Sequence, residues 1–484
     1  MHYNTKNNSL NRALLLGMPD IVNPFGREVK VPVLGLESIA ANVDPHLADV
    51  KIANLALVND GVRGSLREYL KELIDEYNPG FVGLSSMTFQ YPTAVKIAKL
   101  LKQMNPEIRT VLGGYHSSLE YMNIADSPDG VCFDFIVRGE GEDTFPALLR
   151  EAQNSGDYNS IPGLSYNIDG EFHHNPNNGL TDLGKLKIPD RGAELLTGFH
   201  ALGIPITLVE TSRGCNNGCE FCCIREMYGH KFRTYDVERV IEDIKDAKAR
   251  GNKLVYIVDD NITLNKSSMK RLEELCEAII ENGLNDMKYA VQASVKGIAN
   301  YGETVRLMKK AGFTMVFLGI ESPSQKTLDI HNKGYNEELT KKAVRNLRKN
   351  RIIAWGGYIV GNPDDKEEDL WAVYDSTMKL RLDILTMSFL TPFPGTKTRE
   401  RLQKEGLITC NDWSKYTLNH ANIRTRHLSS EELEKLLYKI KRRFYMSPVR
   451  FLGNQALHQF PEFAVKFLAK SLLRFFQRQD DNWY

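Results

Sequence analysis

Residues 211–223 read TSRGCNNGCEFCC and contain four of the seven cysteines of this 484-residue chain. Cys215, Cys219 and Cys222 follow the spacing C-x3-C-x2-C, and Gly214 and Gly218 allow the loop to turn back on itself. Three thiolates on one loop can each bind a different iron of a cubane iron–sulfur cluster. The fourth iron would then lack a protein ligand and could bind a substrate or a cofactor.

The alternative for these cysteines is a structural zinc site, which needs four ligands, usually in two closely spaced pairs. No second pair exists, because Cys132, Cys276 and Cys410 stand apart in the sequence. Cys223 directly follows Cys222 and cannot easily share its geometry, so we interpret it as a packing residue. The spacing therefore favours an iron–sulfur cluster over zinc.

The composition argues against several classes of protein. The 62 Lys and Arg residues nearly balance the 61 Asp and Glu residues, so the chain as a whole is not built to bind polyanions. No apolar run is long enough to predict a membrane-spanning helix. The N-terminal residues show no secretory signal pattern, and the cysteines do not form a disulfide scaffold. We therefore expect a protein of the reducing cytoplasm.

Residues 1–154 alternate short apolar segments with amphipathic ones. This alternation predicts a doubly wound, Rossmann-like α/β sheet, whose ligands bind at the carboxyl ends of the strands. The sequence places glycines and other small residues at those ends, where a large ligand could approach the backbone closely. The predicted strands, which are short and apolar, are 13–17, 50–58, 81–85, 109–113 and 133–138.

The rest of the chain divides into three parts. Residues 155–204 are predicted to be a linker, with a small hairpin around Asp169 and Gly170. Residues 205–395 contain successive strand–helix units that predict a partial (β/α)6 barrel, and residues 396–484 are expected to form a helical C-terminal region. The predicted barrel strands are 206–210, 254–258, 289–293, 314–319, 352–360 and 384–390.

A C-x3-C-x2-C motif after the first strand of such a barrel resembles the radical S-adenosylmethionine (SAM) superfamily, and the doubly wound domain before it resembles the cobalamin-binding branch. The resemblance covers residues 10–450. It implies a [4Fe-4S] cluster that cleaves SAM reductively to a 5′-deoxyadenosyl radical, which abstracts hydrogen from an unactivated carbon. It also implies cobalamin as a second cofactor and an external electron donor of the flavodoxin or ferredoxin type.

The resemblance assigns SAM-binding roles to residues at the strand ends. Phe221 matches the aromatic residue beside the adenine, and Asp260 matches the polar group that receives the SAM amine. Ser294 and Glu321 match contacts to the ribose hydroxyls, and Lys333 matches the cation that binds the SAM carboxylate. The structural alternatives are packing for Phe221, a helix cap for Asp260 and a solvated side chain for Lys333.

The corrinoid contacts are expected in the N-terminal domain. Many cobalamin domains carry D-x-H-x-x-G, whose His binds cobalt, but residues 59–64 read NDGVRG and contain no His. This departure fits the radical SAM branch, in which the lower face of cobalt often lacks a His. His116 has an alternative role as a loop hydrogen-bonder. The candidate corrinoid contacts at the strand ends are Ser85, Ser86, Gly113, Gly114 and His116.

The resemblance favours cobalamin-dependent C-methylation of a lipid-like or otherwise hydrophobic small molecule. Radical cyclisation, ring contraction or oxidation without methyl transfer is the alternative. The tRNA methylthiolation branch expects three further N-terminal cysteines, and only Cys132 precedes the main motif. A non-enzymatic iron–sulfur or corrinoid carrier would not need Asp260, Glu321 and Lys333 at strand ends.

Residues 463–478 read FAVKFLAKSLLRFFQR, with Lys466, Lys470, Arg474 and Arg478 in one stripe and large apolar residues elsewhere. A basic amphipathic helix of this kind is typical of a membrane surface. We interpret it as a peripheral contact with the inner face of the membrane, and a terminal helix docked on the barrel is the alternative. The interleaved aliphatic residues argue against nucleic acid.

Overall fold

The computed structural model describes residues 9–20, 29–60, 65–177, 179–201, 203–447 and 454–460. They belong to two compact units. The first unit draws on residues 1–260 and 391–422, and the second on residues 261–390 and 423–484. The predicted amphipathic segment 463–478 lies outside the described residues.

The elements follow one another in the order of the chain. The strands are β1 (Arg12–Gly17), β2 (Val29–Lys30), β3 (Asp49–Asn54), β4 (Phe81–Ser85), β5 (Arg109–Gly113), β6 (Phe135–Val137), β7 (Leu164–Ile168), β8 (Glu171–His174), β9 (His200–Ala201), β10 (Ile204–Val209), β11 (Ser212–Arg213), β12 (Arg233–Thr234), β13 (Leu254–Ile257), β14 (Lys288–Ala293), β15 (Phe313–Glu321), β16 (Ile353–Val360) and β17 (Ile384–Phe389). The helices are α1 (Leu34–Asn42), α2 (Leu66–Tyr77), α3 (Tyr91–Met104), α4 (Tyr115–Ala125), α5 (Gly141–Gln153), α6 (Ile224–Tyr228), α7 (Val237–Ala249), α8 (Lys266–Glu281), α9 (Val295–Asn300), α10 (Gly302–Lys310), α11 (Gln325–Ile330), α12 (Glu337–Lys349), α13 (Glu367–Leu380), α14 (Lys397–Lys404), α15 (Ser430–Tyr445) and α16 (Gln455–Gln459).

The first unit contains a seven-stranded sheet in the order β3-β1-β4-β5-β6-β7-β8. Strand β1 pairs in parallel with β3 on one side and with β4 on the other, so the winding direction reverses between β1 and β4. Ligands of doubly wound sheets bind outside the carboxyl ends at such a reversal. The predicted doubly wound architecture is confirmed, and its binding crevice falls beside Gly17 and Ser85.

Strand β1 shows why the sequence of a central strand in this sheet is continuously apolar and does not alternate between apolar and polar residues. Leu14 and Leu16 are buried in the core on one face, whereas Ala13 and Leu15 are buried in the core on the other face. A parallel sheet that is covered by helices on both faces buries every residue of its central strands. The strands at 81–85 and 109–113 are confirmed for the same reason.

The predicted strand 50–58 is wrong at its carboxyl end. Strand β3 ends at Asn54, and a 3-10 turn follows over Leu55–Asp60. The Asn54 side chain donates to the Val31 carbonyl and accepts from the Ala56 amide, both at 3.2 Å. The Ala56 amide is therefore bonded to a side chain and not to a neighbouring strand. The apolar residues after Asn54 are buried without being a strand.

The predicted hairpin around Asp169 and Gly170 is confirmed as β7 and β8. Both turn residues have positive φ, 51° and 94°, as the favoured two-residue hairpin turn requires. Strand β7 pairs antiparallel with β6, so part of the predicted linker 155–204 extends the first sheet.

The six predicted barrel strands appear in two sets. In the first unit, β10 pairs in parallel with β13. In the second unit, β14, β15, β16 and β17 pair in parallel in the order of the chain, so their carboxyl ends lie at one edge. Helices α15 and α16 follow in the second unit. Across the described ranges we find no helix with the length and apolar character needed to cross a bilayer.

Candidate active site

The cysteine loop, residues 214–232, is closed at its base by the short antiparallel pair β11 and β12. Gly214 begins the loop with a φ of 86°, in the left-handed region that favours glycine. A Cβ atom at this position would lie 2.2 Å from the carbonyl oxygen of Lys231, on the returning arm. The two arms of the loop therefore approach too closely for any residue but glycine.

Two consecutive aspartates after β13 hold the first arm of the loop. Asp259 accepts hydrogen bonds from the Thr211 amide at 2.7 Å and from the Ser212 hydroxyl at 2.6 Å. Asp260 accepts one from the Gly214 amide at 3.0 Å, and burial raises the pKa of Asp260 to about 6. Asp260, predicted to receive the SAM amine, thus lies beside the start of the cysteine loop.

The three motif cysteines lie on the turn that leads into α6. Cys219 is buried, Cys215 and Cys222 are half-buried, and the Cys222 amide donates to the Cys219 carbonyl at 3.2 Å. Burial raises the pKa of Cys222 to about 12, so this thiol stays protonated until a metal displaces the proton. Phe221 lies on the same turn and is half-buried.

The donor set is one that a [4Fe-4S] cluster can use. Three cysteines lie on one turn, and each thiolate of a cubane binds a different iron. Cys215, Cys219 and Cys222 would hold that cluster.

In the second unit, the structure brings Glu321 and Lys333 together. Glu321 ends β15, and Lys333 Nζ lies 2.7 Å from its Oε1 atom. Glu321 has a φ of 62°, and the pairing register between β15 and β16 shifts at this residue. Non-glycine residues in the left-handed region are often found at functional sites, which agrees with the role predicted for this carboxylate.

Ser294 follows β14, the parallel neighbour of β15, so it lies at the same sheet edge as Glu321. Its hydroxyl accepts from the Gly297 amide at 3.0 Å and donates to the Thr263 carbonyl at 2.8 Å. The side chain is thus the N-cap of α9, a structural role that its position in the sequence did not reveal.

The candidate corrinoid contacts lie at adjacent strand ends of the first sheet, because Ser85 and Gly113 are direct partners across β4 and β5. Gly114 has a φ of 99°, and a Cβ atom there would lie 2.6 Å from the Ser86 carbonyl oxygen. A Cβ atom at Gly113 would meet no described atom within 4 Å. The strand end is thus tightly packed at Gly114 and open at Gly113.

Two buried polar atoms at this edge have no hydrogen-bond partner among the described residues, the Ser86 hydroxyl and Nδ1 of His116. The His116 ring packs 4.5 Å from Tyr91 and 5.2 Å from Trp413. Burial, aided by the charge of Arg399, lowers the pKa of His116 to about 3, so the ring is neutral. A ligand with both donors and acceptors, such as the amide side chains of a corrinoid, would satisfy both atoms.

Sequence reasoning missed a buried ion cluster beside the cysteine loop. Arg213 donates from Nε to Glu210 at 2.8 Å, from Nη1 to Glu140 at 2.9 Å and from Nη2 to Glu142 at 2.6 Å. Arg233 binds the same Glu140. Glu140 and Glu142 are visible in the sequence after the predicted strand 133–138. Nothing in the sequence near them indicates that distant arginines are their partners.

Comparison with known proteins agrees with this geometry. The family model for the radical SAM superfamily matches residues 209–376, and that for the B12 binding domain matches residues 27–149. An uncharacterized methyltransferase of Pyrococcus horikoshii is 31% identical over 469 residues, which cover 95% of this chain and 98% of the relative. The hopanoid C-3 methylase of Methylococcus capsulatus is 27% identical over 401 residues, covering 82% of this chain and 73% of that protein.

A solved structure shows the same fold. The radical SAM methyltransferase TsrM of Kitasatospora setae, with cobalamin and a [4Fe-4S] cluster bound, superposes with a TM-score of 0.70 at 17% identity. The match covers 91% of this chain and 89% of TsrM. The expected cofactors are therefore a [4Fe-4S] cluster, SAM and cobalamin. The chain belongs to the radical SAM superfamily, in the branch of enzymes that carry a B12-binding domain and include methyltransferases.

Proposed function

We propose that this enzyme transfers a methyl group to an unactivated carbon of a small hydrophobic molecule. The observation that carries the proposal is a contact between Tyr115 and Tyr228, whose hydroxyl oxygens lie 3.4 Å apart. Tyr115 directly follows Gly114 at the corrinoid edge, and Tyr228 ends α6, inside the cysteine loop and after its three cysteines. A substrate at this contact would be near both cofactors.

The tyrosine pair supports a site from which water is excluded. The two rings meet edge to face, with centroids 6.5 Å apart and an interplanar angle of 85°. Burial raises the pKa of both hydroxyls, so neither ionises near neutral pH. Neutral aromatic walls favour an apolar substrate and protect reactive intermediates from water.

The bound cofactors would supply carbon-radical chemistry and a transferable methyl group. On the protein side, Glu321 and Lys333 would orient SAM, and Ser85, Ser86, Gly113, Gly114 and His116 would hold the corrinoid. Phe221, Asp260 and Ser294 complete the proposed SAM contacts. An external flavodoxin- or ferredoxin-type protein would deliver the electron.

The proposed substrate class, a lipid-like or other hydrophobic molecule, has support from one relative. The hopanoid C-3 methylase acts, by its name, on a hopanoid, and it aligns with 82% of this chain. The aromatic pair Tyr115 and Tyr228 is compatible with such a substrate.

The test is anaerobic reconstitution of the full chain with iron, sulfide and hydroxocobalamin, followed by reduction and addition of SAM with a deuterated methyl group. We expect S-adenosylhomocysteine and deuterated methylcobalamin to form, and a hydrophobic acceptor to gain the labelled methyl. Formation of 5′-deoxyadenosine and methionine without S-adenosylhomocysteine would contradict methyl transfer and support cyclisation or oxidation.

We also propose that residues 463–478 bring the enzyme to the inner face of the membrane. The support is the sequence itself, in which four basic residues recur at every fourth position among aromatic and aliphatic ones. Replacing Lys466, Lys470, Arg474 and Arg478 by Gln should reduce sedimentation with vesicles that contain anionic lipid. Unchanged sedimentation would contradict the proposal.

A further inference from the structure

We propose that Glu140 is a positioning residue that closes the base of the cysteine loop and thereby couples corrinoid binding to cluster binding. The inference rests on the two cofactor sites described above and not on the identity of the substrate. All the residues that carry it belong to the first unit.

The base of the loop places two like charges side by side. Arg213 of β11 and Arg233 of β12 are direct partners in the antiparallel pair, so their side chains extend from the same face. Like charges at directly opposed positions repel and would separate the strands. A carboxylate between them would offset this repulsion and favour the closed loop.

Glu140 supplies that carboxylate. Its Oε1 atom lies 2.9 Å from Nη1 of Arg213 and 2.7 Å from Nη2 of Arg233. Its Oε2 atom accepts from Arg233 Nη1 at 3.0 Å and from the Thr181 amide at 2.7 Å. One side chain therefore binds both arms of the loop, and it binds Arg233 through two parallel bonds.

The contacts are shielded from water. The Glu140 side chain is 4% exposed and that of Arg213 is 7% exposed. Burial alone would raise the pKa of Glu140, but the hydrogen bonds and charges of Arg233 and Arg213 outweigh it, and the pKa is lowered. The carboxylate is thus ionised at neutral pH, and loss of one member of such a buried group is costly.

The same residue is tied to the corrinoid edge. Glu140 follows Gly139, whose amide donates to the Ser118 hydroxyl at 2.9 Å. That hydroxyl donates to the carbonyl of Gly114 at 2.7 Å, next to Gly113. Two hydrogen bonds and one peptide step therefore separate the residue that closes the cysteine loop from the glycines proposed to contact the corrinoid.

The test measures the affinity of the full chain for hydroxocobalamin, by anaerobic absorbance titration, with and without the reconstituted cluster. We expect the cluster-loaded protein to bind hydroxocobalamin at least about fivefold more tightly than the cluster-free protein, as in a typical coupled pair of sites. In Glu140→Gln the cluster-loaded and cluster-free forms should bind hydroxocobalamin with equal affinity. The cluster-free variant should bind it as tightly as cluster-free wild type does. The iron content per chain is measured in parallel.

Glu142→Gln is the matched control, because Glu142 contacts Arg213 at 2.6 Å and leaves Glu140 between the two arms. We expect this variant to keep the coupling. Arg233→Lys is the second test variant, and it keeps the proposal testable if Glu140→Gln does not fold. Because lysine cannot make two parallel bonds to Glu140, this variant should also lose the coupling.

Equal affinities in the two forms of the wild type would overturn the proposal. Coupling that survives in folded Glu140→Gln, or that is lost equally in Glu142→Gln, would overturn the assignment to Glu140. The titration contains no methyl acceptor, so failure of methyl transfer with intact coupling would refute the proposed function alone.

Discussion

The Nζ atom of Lys333 lies 2.7 Å from Oε1 of Glu321, and the two side chains are only 15% and 11% exposed. The two residues predicted to contact different parts of SAM therefore contact each other. The ion pair holds the Glu321 carboxylate, and Lys333 offsets the charge that would repel an incoming carboxylate.

Lys333→Ala should weaken SAM binding by roughly 10- to 100-fold, because a charge-assisted hydrogen bond contributes about 1.5–3 kcal/mol. Isothermal titration of the anaerobic protein with SAM measures the effect. Lys326→Ala is the control, since Lys326 is 74% exposed in its own ion pair with Asp364. Equal affinities of the Lys333 variant and wild type would contradict the assigned role.

Cys219→Ala should abolish SAM cleavage, because the variant lacks one of the three proposed cluster ligands. Iron and sulfide per chain, and 5′-deoxyadenosine formed after reduction, are the measurements. Cys410→Ala, which changes a half-buried cysteine outside the motif, should retain both. A brown, iron-loaded Cys219 variant that still cleaves SAM would count decisively against the site.

Gly214→Ala should destabilise the protein more than Gly251→Ala, although the two glycines have nearly equal φ values of 86° and 84°. Both substitutions incur the left-handed backbone cost of about 1–2 kcal/mol. Only a Cβ at Gly214 would also meet the Lys231 carbonyl, whereas a Cβ at Gly251 meets nothing within 4 Å. Urea unfolding of both variants measures the difference, and equal losses would show that the loop can open without cost.

Glu194 predicts a pH dependence of stability. Both carboxyl oxygens are buried without a partner among the described residues, and burial, followed by the charge of Glu37, raises the pKa from 4.5 to about 8. Between these values the unfolded chain has released a proton that the folded chain retains, so the free energy of unfolding falls as pH rises.

Glu194→Gln should make that decline less steep, because it removes one of several buried carboxyls with a raised pKa, and it should stabilise the protein at pH 8 relative to wild type. Thermal unfolding from pH 5 to 8 measures the effect. Glu171→Gln, on the exposed surface of β8, is the control and should leave the pH profile unchanged. A Glu194→Gln profile with the same slope as wild type would contradict the raised pKa of this carboxyl.

Much of the first sheet could be predicted from local sequence, and its failures have a physical cause. Strand 81–85 is an apolar run ended by Ser, strand 109–113 carries a shorter apolar run ended by Gly, and the structure gives both the same bounds. The run after Asn54 is equally apolar, but the chain turns there, and the Ala56 amide donates to the Asn54 side chain. Periodicity detects burial and cannot distinguish a buried strand from a buried turn.

The site was predictable where one segment carries the chemistry. The three motif cysteines lie within eight residues of one another, so their spacing is informative. The contact of Arg213 with Glu142 joins residues 71 positions apart, and no local pattern encodes such a pairing. The capping role of Ser294 was missed because it depends on where α9 begins.

The hairpin β7–β8 has a consequence for how copies of this protein behave at high concentration. Without it, the apolar strand Phe135–Val137 would be the outermost strand of a parallel sheet and would offer unpaired backbone groups to a neighbouring molecule. The hairpin replaces that template with four residues, Glu171–His174, that are mostly exposed and polar. A shortened variant that lacks residues 164–174 should therefore form intermolecular β-structure and precipitate, even with every cofactor-binding residue in place.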